Sequence, residues 1–151
     1  MPMTDDQLVE RFNTRRAPTS VILNAQILEV RSSEGYVRMS YDIGPDFCNP
    51  SGAVQGGIVT AMLDDAAAFA CIVKAGKAIY VASLELKTTF LSAAKQGRLY
   101  AEGHCIKLGQ TFAFMEAELT DPDGKILAKM STTGAPRAII DTPRLVDAVS
   151  S

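Results

Sequence analysis

One segment constrains this chain more than any other. From Gly56 to Val73 the sequence reads GGIVTAMLDDAAAFACIV, and at helical spacing its large apolar residues (Ile58, Val59, Met62, Leu63, Phe69, Ile72, Val73) fall on every side. A helix that is hydrophobic all round has to be enclosed by the rest of the fold. Gly56 and Gly57 are expected to open this helix, and Gly76, just past Lys74, to close it. The small side chains of Ala66, Ala67, Ala68 and Ala70 would let a covering layer approach closely. Yet two aspartates, Asp64 and Asp65, stand in the middle. Neighbouring helix positions lie about 100° apart, so the two carboxylates meet different surroundings. Either both serve packing and solvation, or one is held in place for chemistry.

The covering layer is legible as strands. Val37, Met39, Tyr41 and Ile43 alternate with Tyr36, Arg38, Ser40 and Asp42, the period of a half-buried strand. With the preceding run SVILNAQILEV, and RSSEG between, they predict an antiparallel hairpin over Ser20 to Ile43. Four more strands are expected beyond the helix, at 78–92, 98–108, 111–120 and 125–134. KLGQ at 107–110 and DPDG at 121–124 read as tight turns, Pro122 presetting φ and Gly124 providing the exit. Thr4 and Gln7 have capping-box spacing, which predicts a short helix from Asp5 to Asn13 with Leu8, Val9 and Phe12 on one face. The fold class is therefore α+β, with one long central helix wrapped by an antiparallel sheet of about six strands. The chain reads as one domain, its core over about 20–135 and a loosely held tail over 136–151, interrupted by Pro136 and Pro143.

Composition narrows the function by exclusion. A net charge of −2 and a pI near 5.4 suggest neither a nucleic-acid nor an anionic-membrane partner. The longest uncharged apolar run, Ala66 to Val73, is too short to cross a bilayer. The opening MPMTDDQLVERFNTRR has no apolar core and does not read as a signal peptide. Cys48, Cys71 and Cys105 are odd in number and form no CxxC pair, which predicts neither a disulfide framework nor a cysteine-rich zinc site and fits a reducing cytoplasm. His104 is the one histidine, so no multi-histidine metal site is possible, and within its strand it reads as structural or surface. No metal and no cofactor is expected.

The chemistry concentrates where the helix begins. Asn49 and Gly52 lie in the approach loop, and Gly56-Gly57 stand at the helix start, where free N–H groups attract a polarised carbonyl oxygen or an anion. Asp64 comes eight residues after Gly56, about 12 Å along a helix axis. One reacting carbonyl cannot touch both groups of the same chain, so if they cooperate, two chains supply them. A dimer of paired helices would meet that condition, with the acid facing its partner's site; otherwise both acids serve packing and solvation.

The stretch NPSGAVQGGIVTAMLDDA resembles the helix signature of hotdog-fold acyl-CoA thioesterases of the phenylacetate-pathway (PaaI-like) group, in which Asn, Gly and His-Gly-Gly precede an acid nine residues after the His. Asn49, Gly52, Gly56, Gly57 and Asp64 match in register, and the similarity runs from about Val21 to Gly134. The resemblance implies a hotdog fold and hydrolysis of an acyl-CoA thioester, coenzyme A entering only as part of the substrate. It implies that the Gly56 N–H polarises the thioester carbonyl and that Asn49 fixes loop and substrate. Asp64 of the other subunit would act as base or nucleophile, and Ser83 would help place the attacking water. Gln55 and Gly57 fall on the substrate side, and Asp65 takes a structural or secondary role there. Gln55 stands where many relatives carry His; it exchanges hydrogen bonds but does not titrate near neutral pH. Arg98, Lys107, Lys129 and Arg137 are candidates to meet the coenzyme A phosphates. The resemblance is compatible with a homodimer sharing its sites and with a homotetramer built from two such dimers. Two other readings stay open: a non-catalytic dimer binding acyl-CoA or an aromatic ligand, and a hotdog hydratase or dehydratase.

Overall fold

The computed structural model describes residues 1–139. Its elements follow in the order α1 (Asp5–Thr14), α2 (Pro18–Ile22), β1 (Gln26–Arg31), β2 (Tyr36–Ile43), α3 (Gly56–Ala75), β3 (Ile79–Phe90), β4 (Gly97–Leu108), β5 (Ala113–Thr120) and β6 (Ile126–Ala138). The six strands form one antiparallel sheet in the order β1-β2-β4-β5-β6-β3. This is a hotdog: the sheet wraps around α3. The helix has the length and hydropathy of a membrane span, but one side of it, including Val59, Met62, Leu63, Ala66 and Val73, is buried in the fold, while Ile58, Phe69 and Ile72 are buried only in part.

The close approach predicted from the alanines is present. Ala66, Ala67 and Ala70 are fully buried, as are Met62 and Leu63. Opposite them, β4 presents Gly103, where an added Cβ would lie 2.1 Å from the Ala66 carbonyl oxygen. Helix backbone and strand backbone are thus in direct contact, with no side chain between. Beneath α3, the inward residues of β2 (Val37, Met39, Tyr41, Ile43) and β5 (Ala113, Met115, Ala117, Leu119) complete the core, in the phase the alternation predicted for β2.

Two expectations need correction. Ser20 to Ile22 belong to α2 and not to the first strand, because Pro18 begins a helical turn there and the strand starts only at Gln26. β6 continues through Pro136 and Arg137 to Ala138, paired with β3, so the expected loose tail cannot begin at 136; residues 140–151 lie outside the described part. The turn expected at 107–110 sits slightly later, closed by the Gly109 N–H on the Phe112 carbonyl. DPDG is a turn as expected, with Gly124 at φ +84° and the Asp121 carboxylate accepting from the N–H groups of Asp123 and Lys125.

The two edges of the sheet are treated differently. At β1, the Asn13 side chain of α1 both donates to the Ile27 carbonyl and accepts from the Ile27 N–H, each at 2.8 Å, and so imitates a neighbouring strand. The capping box of α1 is formed as predicted, Thr4 accepting from the Gln7 N–H. At the opposite edge β3 runs for twelve residues, and among the described residues nothing pairs with its outer side. Such an edge is a template for another strand.

Candidate active site

The site grows from the two ends of the puzzle in α3. At its N-terminus, Asn49 organises the approach loop. Its Oδ1 accepts from the Ser51 N–H at 3.0 Å, the Ser51 hydroxyl at 2.6 Å and the Ala53 N–H at 3.3 Å, while its own N–H donates to the Ala53 carbonyl at 2.7 Å. Gly52 closes this turn at φ +85°, a conformation that favours glycine. With Oδ1 engaged, the Asn49 side chain still has its amide N–H groups to donate.

Gln55 is the N-cap of α3 and makes no side-chain cap. Its carbonyl takes the Ile58 and Val59 N–H groups, and neither the Gly56 nor the Gly57 N–H finds an acceptor among the described residues. Phe90 of β3 stands over Gly56 so closely that a Cβ there would lie 3.3 Å from its ring. The helix start thus offers free donors beside an aromatic wall, chemistry suited to a polarised carbonyl oxygen or an anion.

Two turns further on, the adjacent acids separate as helical geometry requires. Asp64 turns toward β3, where the Ser83 hydroxyl donates to its Oδ1 at 2.7 Å. Asp65 turns toward β2, where it meets the Tyr41 hydroxyl at 3.0 Å. Tyr41 is fully buried and also lies 3.1 Å from the Met62 carbonyl. Burial pushes the Asp65 carboxyl up to about 6, with the nearby Asp64 charge adding to the rise and the Tyr41 hydrogen bond opposing it. Tyr41 is raised well above its usual range, chiefly by burial and then by the Asp65 charge. One acid is half-exposed and oriented by a serine; the other is packed inward against a tyrosine.

Sequence reasoning found Ser83 but not what aims it. A strict alternation through SLELK would place Leu84 and Leu86 on one face and Ser83 on the other. The register shifts between Ser83 and Glu85, so Ser83 pairs with Gly134 and Leu86 with Thr132, both on the helix side. The buried Thr132 hydroxyl secures the irregularity by donating to the Glu85 carbonyl at 2.8 Å. A bulge that re-aims a side chain is a common way to build a site, and nothing local in the sequence marks this one. Thr60 and Thr88, joined at 3.0 Å, form a second tie between α3 and β3.

The remaining candidates lie elsewhere. His104 is exposed on the outer face of the sheet, packed against the Tyr36 ring, and so is separated from Asp64 by the sheet itself. Arg98 is engaged by both oxygens of Asp42, at 2.7 and 3.0 Å, and Lys129 pairs with Glu118 at 3.6 Å; of the four candidates, Lys107 and Arg137 make no ion pair among the described residues. Within one chain the structure brings Asn49, Gln55, Gly56 and Gly57 together, and separately Asp64 with Ser83. Along the helix the two groups remain about 12 Å apart. An apolar cleft of about 570 Å³, lined by Phe12, Ile72 and Tyr80 among others, sits at the far end of α3 from Gly56.

The sequence model of the Thioesterase superfamily matches residues 51–128, from the approach loop through the helix and β3 into β6. The chain belongs to the Thioesterase superfamily. A candidate esterase of Saccharolobus solfataricus is 27% identical over 107 residues, covering 71% of this chain and 74% of that one. Among solved structures, a candidate thioesterase from Ralstonia eutropha JMP134, described as related to phenylacetic acid degradation, superposes with a TM-score of 0.76 at 28% identity, covering 84% of this chain and 98% of its own. A hypothetical thioesterase of Streptococcus pneumoniae TIGR4, solved with coenzyme A, superposes with a TM-score of 0.68 at 21% identity, covering 77% and 92%. The PaaI-like resemblance and the hotdog architecture expected from the sequence both hold. Membership in this superfamily supports thioester hydrolysis in general terms.

Proposed function

We propose that this protein hydrolyses acyl-CoA thioesters at sites shared between two chains. The observation that carries the reading is the division of α3: free N–H donors at Gly56 and Gly57, and, two turns on, a half-exposed Asp64 held by Ser83. In the mechanism, the thioester carbonyl oxygen is received by the Gly56 N–H, assisted by the helix dipole and by an Asn49 amide hydrogen. Asp64 of the facing chain, its orientation fixed by Ser83, takes a proton from the attacking water or attacks the carbonyl carbon itself. The coenzyme A thiolate leaves and the carboxylic acid is released. Coenzyme A bound to the pneumococcal relative supports coenzyme A as the thiol part of the substrate. The position of His104, on the outer face of the sheet, speaks against a hydratase that needs a histidine beside its acid. Release of free thiol from a panel of aromatic, short and long acyl-CoAs tests the reading; tight binding of the panel without turnover would replace it with the ligand-binding alternative.

The edge of β3, unpaired among the described residues, supports the dimer. Its inner face carries Leu86 and Phe90, both exposed in a single chain, next to Leu84 at the bulge and Leu91 at the strand's end. Pairing β3 with β3 of a second copy would join the two sheets and lay two α3 helices side by side, antiparallel, so that each Asp64 faces its neighbour's helix start. The test is complementation. Asn49→Ala and Asp64→Ala homodimers are each expected to be nearly inactive. When equal amounts are refolded together, half the dimers are mixed and each has one intact site, so activity recovers to roughly a quarter of the unmutated level. No recovery, with mixed dimers verified by mass spectrometry, means that the acid serves its own chain.

Gln55 orients and transfers no proton. Gln55→Ala is expected to lower kcat modestly and Gln55→His to leave it similar. A steep new pH dependence near neutrality in the histidine variant would show instead that this position can enter proton transfer.

A further inference from the structure

The Tyr41 hydroxyl has one proton and three acceptors around it: Asp65 Oδ2 at 3.0 Å, the Met62 carbonyl at 3.1 Å and the Met39 sulfur at 3.4 Å. A single O–H cannot satisfy both oxygens. The arrangement is complete only when Asp65 supplies a second proton, donating to Tyr41 Oη while Tyr41 donates to the Met62 carbonyl. When Asp65 is ionised, Tyr41 turns its proton to the carboxylate and the Met62 carbonyl is left with its intrahelical partner alone.

Tyr41 also has a position that gives this proton a purpose. It rises from β2, on the other side of α3 from Ser83 of β3. Ser83 holds Asp64 from one flank of the helix; Tyr41 holds Asp65 and Met62 from the other. The two contacts fix the rotation of α3 about its axis in the turn that carries both acids. We propose that Tyr41 and Asp65 form a positioning pair for Asp64, held in one of two hydrogen-bond arrangements according to whether Asp65 carries a proton. This rests on the reading of Asp64 as the reacting carboxylate. The titratable groups acting on Asp65 are Tyr41, from β2, and Asp64, from its own helix. Asp65 is charged above about pH 6.

The experiment has an arm that needs no activity. Asp65→Asn keeps a donor, since its amide N–H reaches Tyr41 Oη as the protonated acid does. Between about pH 4, where an unfolded aspartate titrates, and about pH 6, where Asp65 titrates in the fold, the native wild type binds a proton that its unfolded state lacks. Its stability relative to Asp65→Asn therefore falls as pH rises through that window and stays level on either side. Melting curves of both proteins across pH 3.5–8 should show this; a stability gap constant through the window overturns the proton assignment. In the activity arm, Tyr41→Phe lowers kcat on the order of tenfold, since a displaced reacting group loses rate steeply, while KM stays nearly unchanged. Asp65→Leu behaves in the same way, and Asp65→Asn retains most of kcat. Unchanged kcat in folded Tyr41→Phe overturns the positioning role. If the wild type turns over no thioester, the function fails while the stability arm still decides the proton.

Discussion

Asp64→Asn is expected to abolish thioester hydrolysis by a factor on the order of 10² or more, the loss that follows removal of a general base or nucleophile. The substitution is close to isosteric. The Ser83 hydroxyl, which donates to Oδ1 in the wild type, can donate in the same way to the asparagine carbonyl oxygen. Fold, melting temperature and substrate affinity should therefore survive, and the effect should fall on kcat while KM changes little. Asp65→Asn should cost far less, because Asp65 points away from β3 toward Tyr41. Free-thiol assays on both variants, alongside thermal melts, check the pair. Equal losses at the two positions with folding intact would refute the division of labour between the acids.

The largest stability effect is expected at Gly103→Ala. An added Cβ would lie 2.1 Å from the Ala66 oxygen, 2.5 Å from the Ala66 carbonyl carbon and 3.0 Å from the Ala67 nitrogen. All three are backbone atoms of α3, so no side chain can rotate away, and the helix itself must lift from the sheet. Overpacking a core costs typically 1–3 kcal/mol, and a rigid obstruction of this kind belongs at or above about 3 kcal/mol. For a domain of this size that is a drop of roughly 6–12 °C in Tm. Gly44→Ala is the control: φ is −86° and nothing lies within 4 Å of the new methyl, so its change should stay within about 0.5 kcal/mol. Denaturant melts of the two variants would decide, and a Gly103→Ala loss no larger than the control's would contradict the direct helix–strand contact.

Much of this arrangement was legible in the sequence, and the parts that were not share a cause. The central helix declared itself through an all-round apolar pattern bounded by Gly56 and Gly76, and its alanines announced a close contact. Gly103 as the other half of that contact was not legible, because the pairing spans nearly forty positions and a glycine inside a strand has no periodic signature. In the same way the acid pair could be divided by helical angle, yet which acid meets Tyr41 depends on β2 lying beside that turn of α3. Local signals served where local physics dominates, as in the capping box at Thr4. They failed at Pro18 to Ile22, where a β-branched run drew attention from the helix-starting proline. They failed again at Ser83, where an irregularity held by Thr132 reverses the phase of the strand.

The uncapped start of α3 has a consequence for how this protein can be improved or can drift. A serine, aspartate or asparagine at an N-cap typically adds about 1 kcal/mol of stability by bonding the first free N–H groups. Position 55 is therefore where a search for a hardier variant would look first. On the proposed reading, a side chain that capped the helix from within would crowd the place of the substrate's oxygen. Robustness and reactivity would then compete at one helix start, because a cap would take the Gly57 N–H directly beside the Gly56 N–H offered to the substrate.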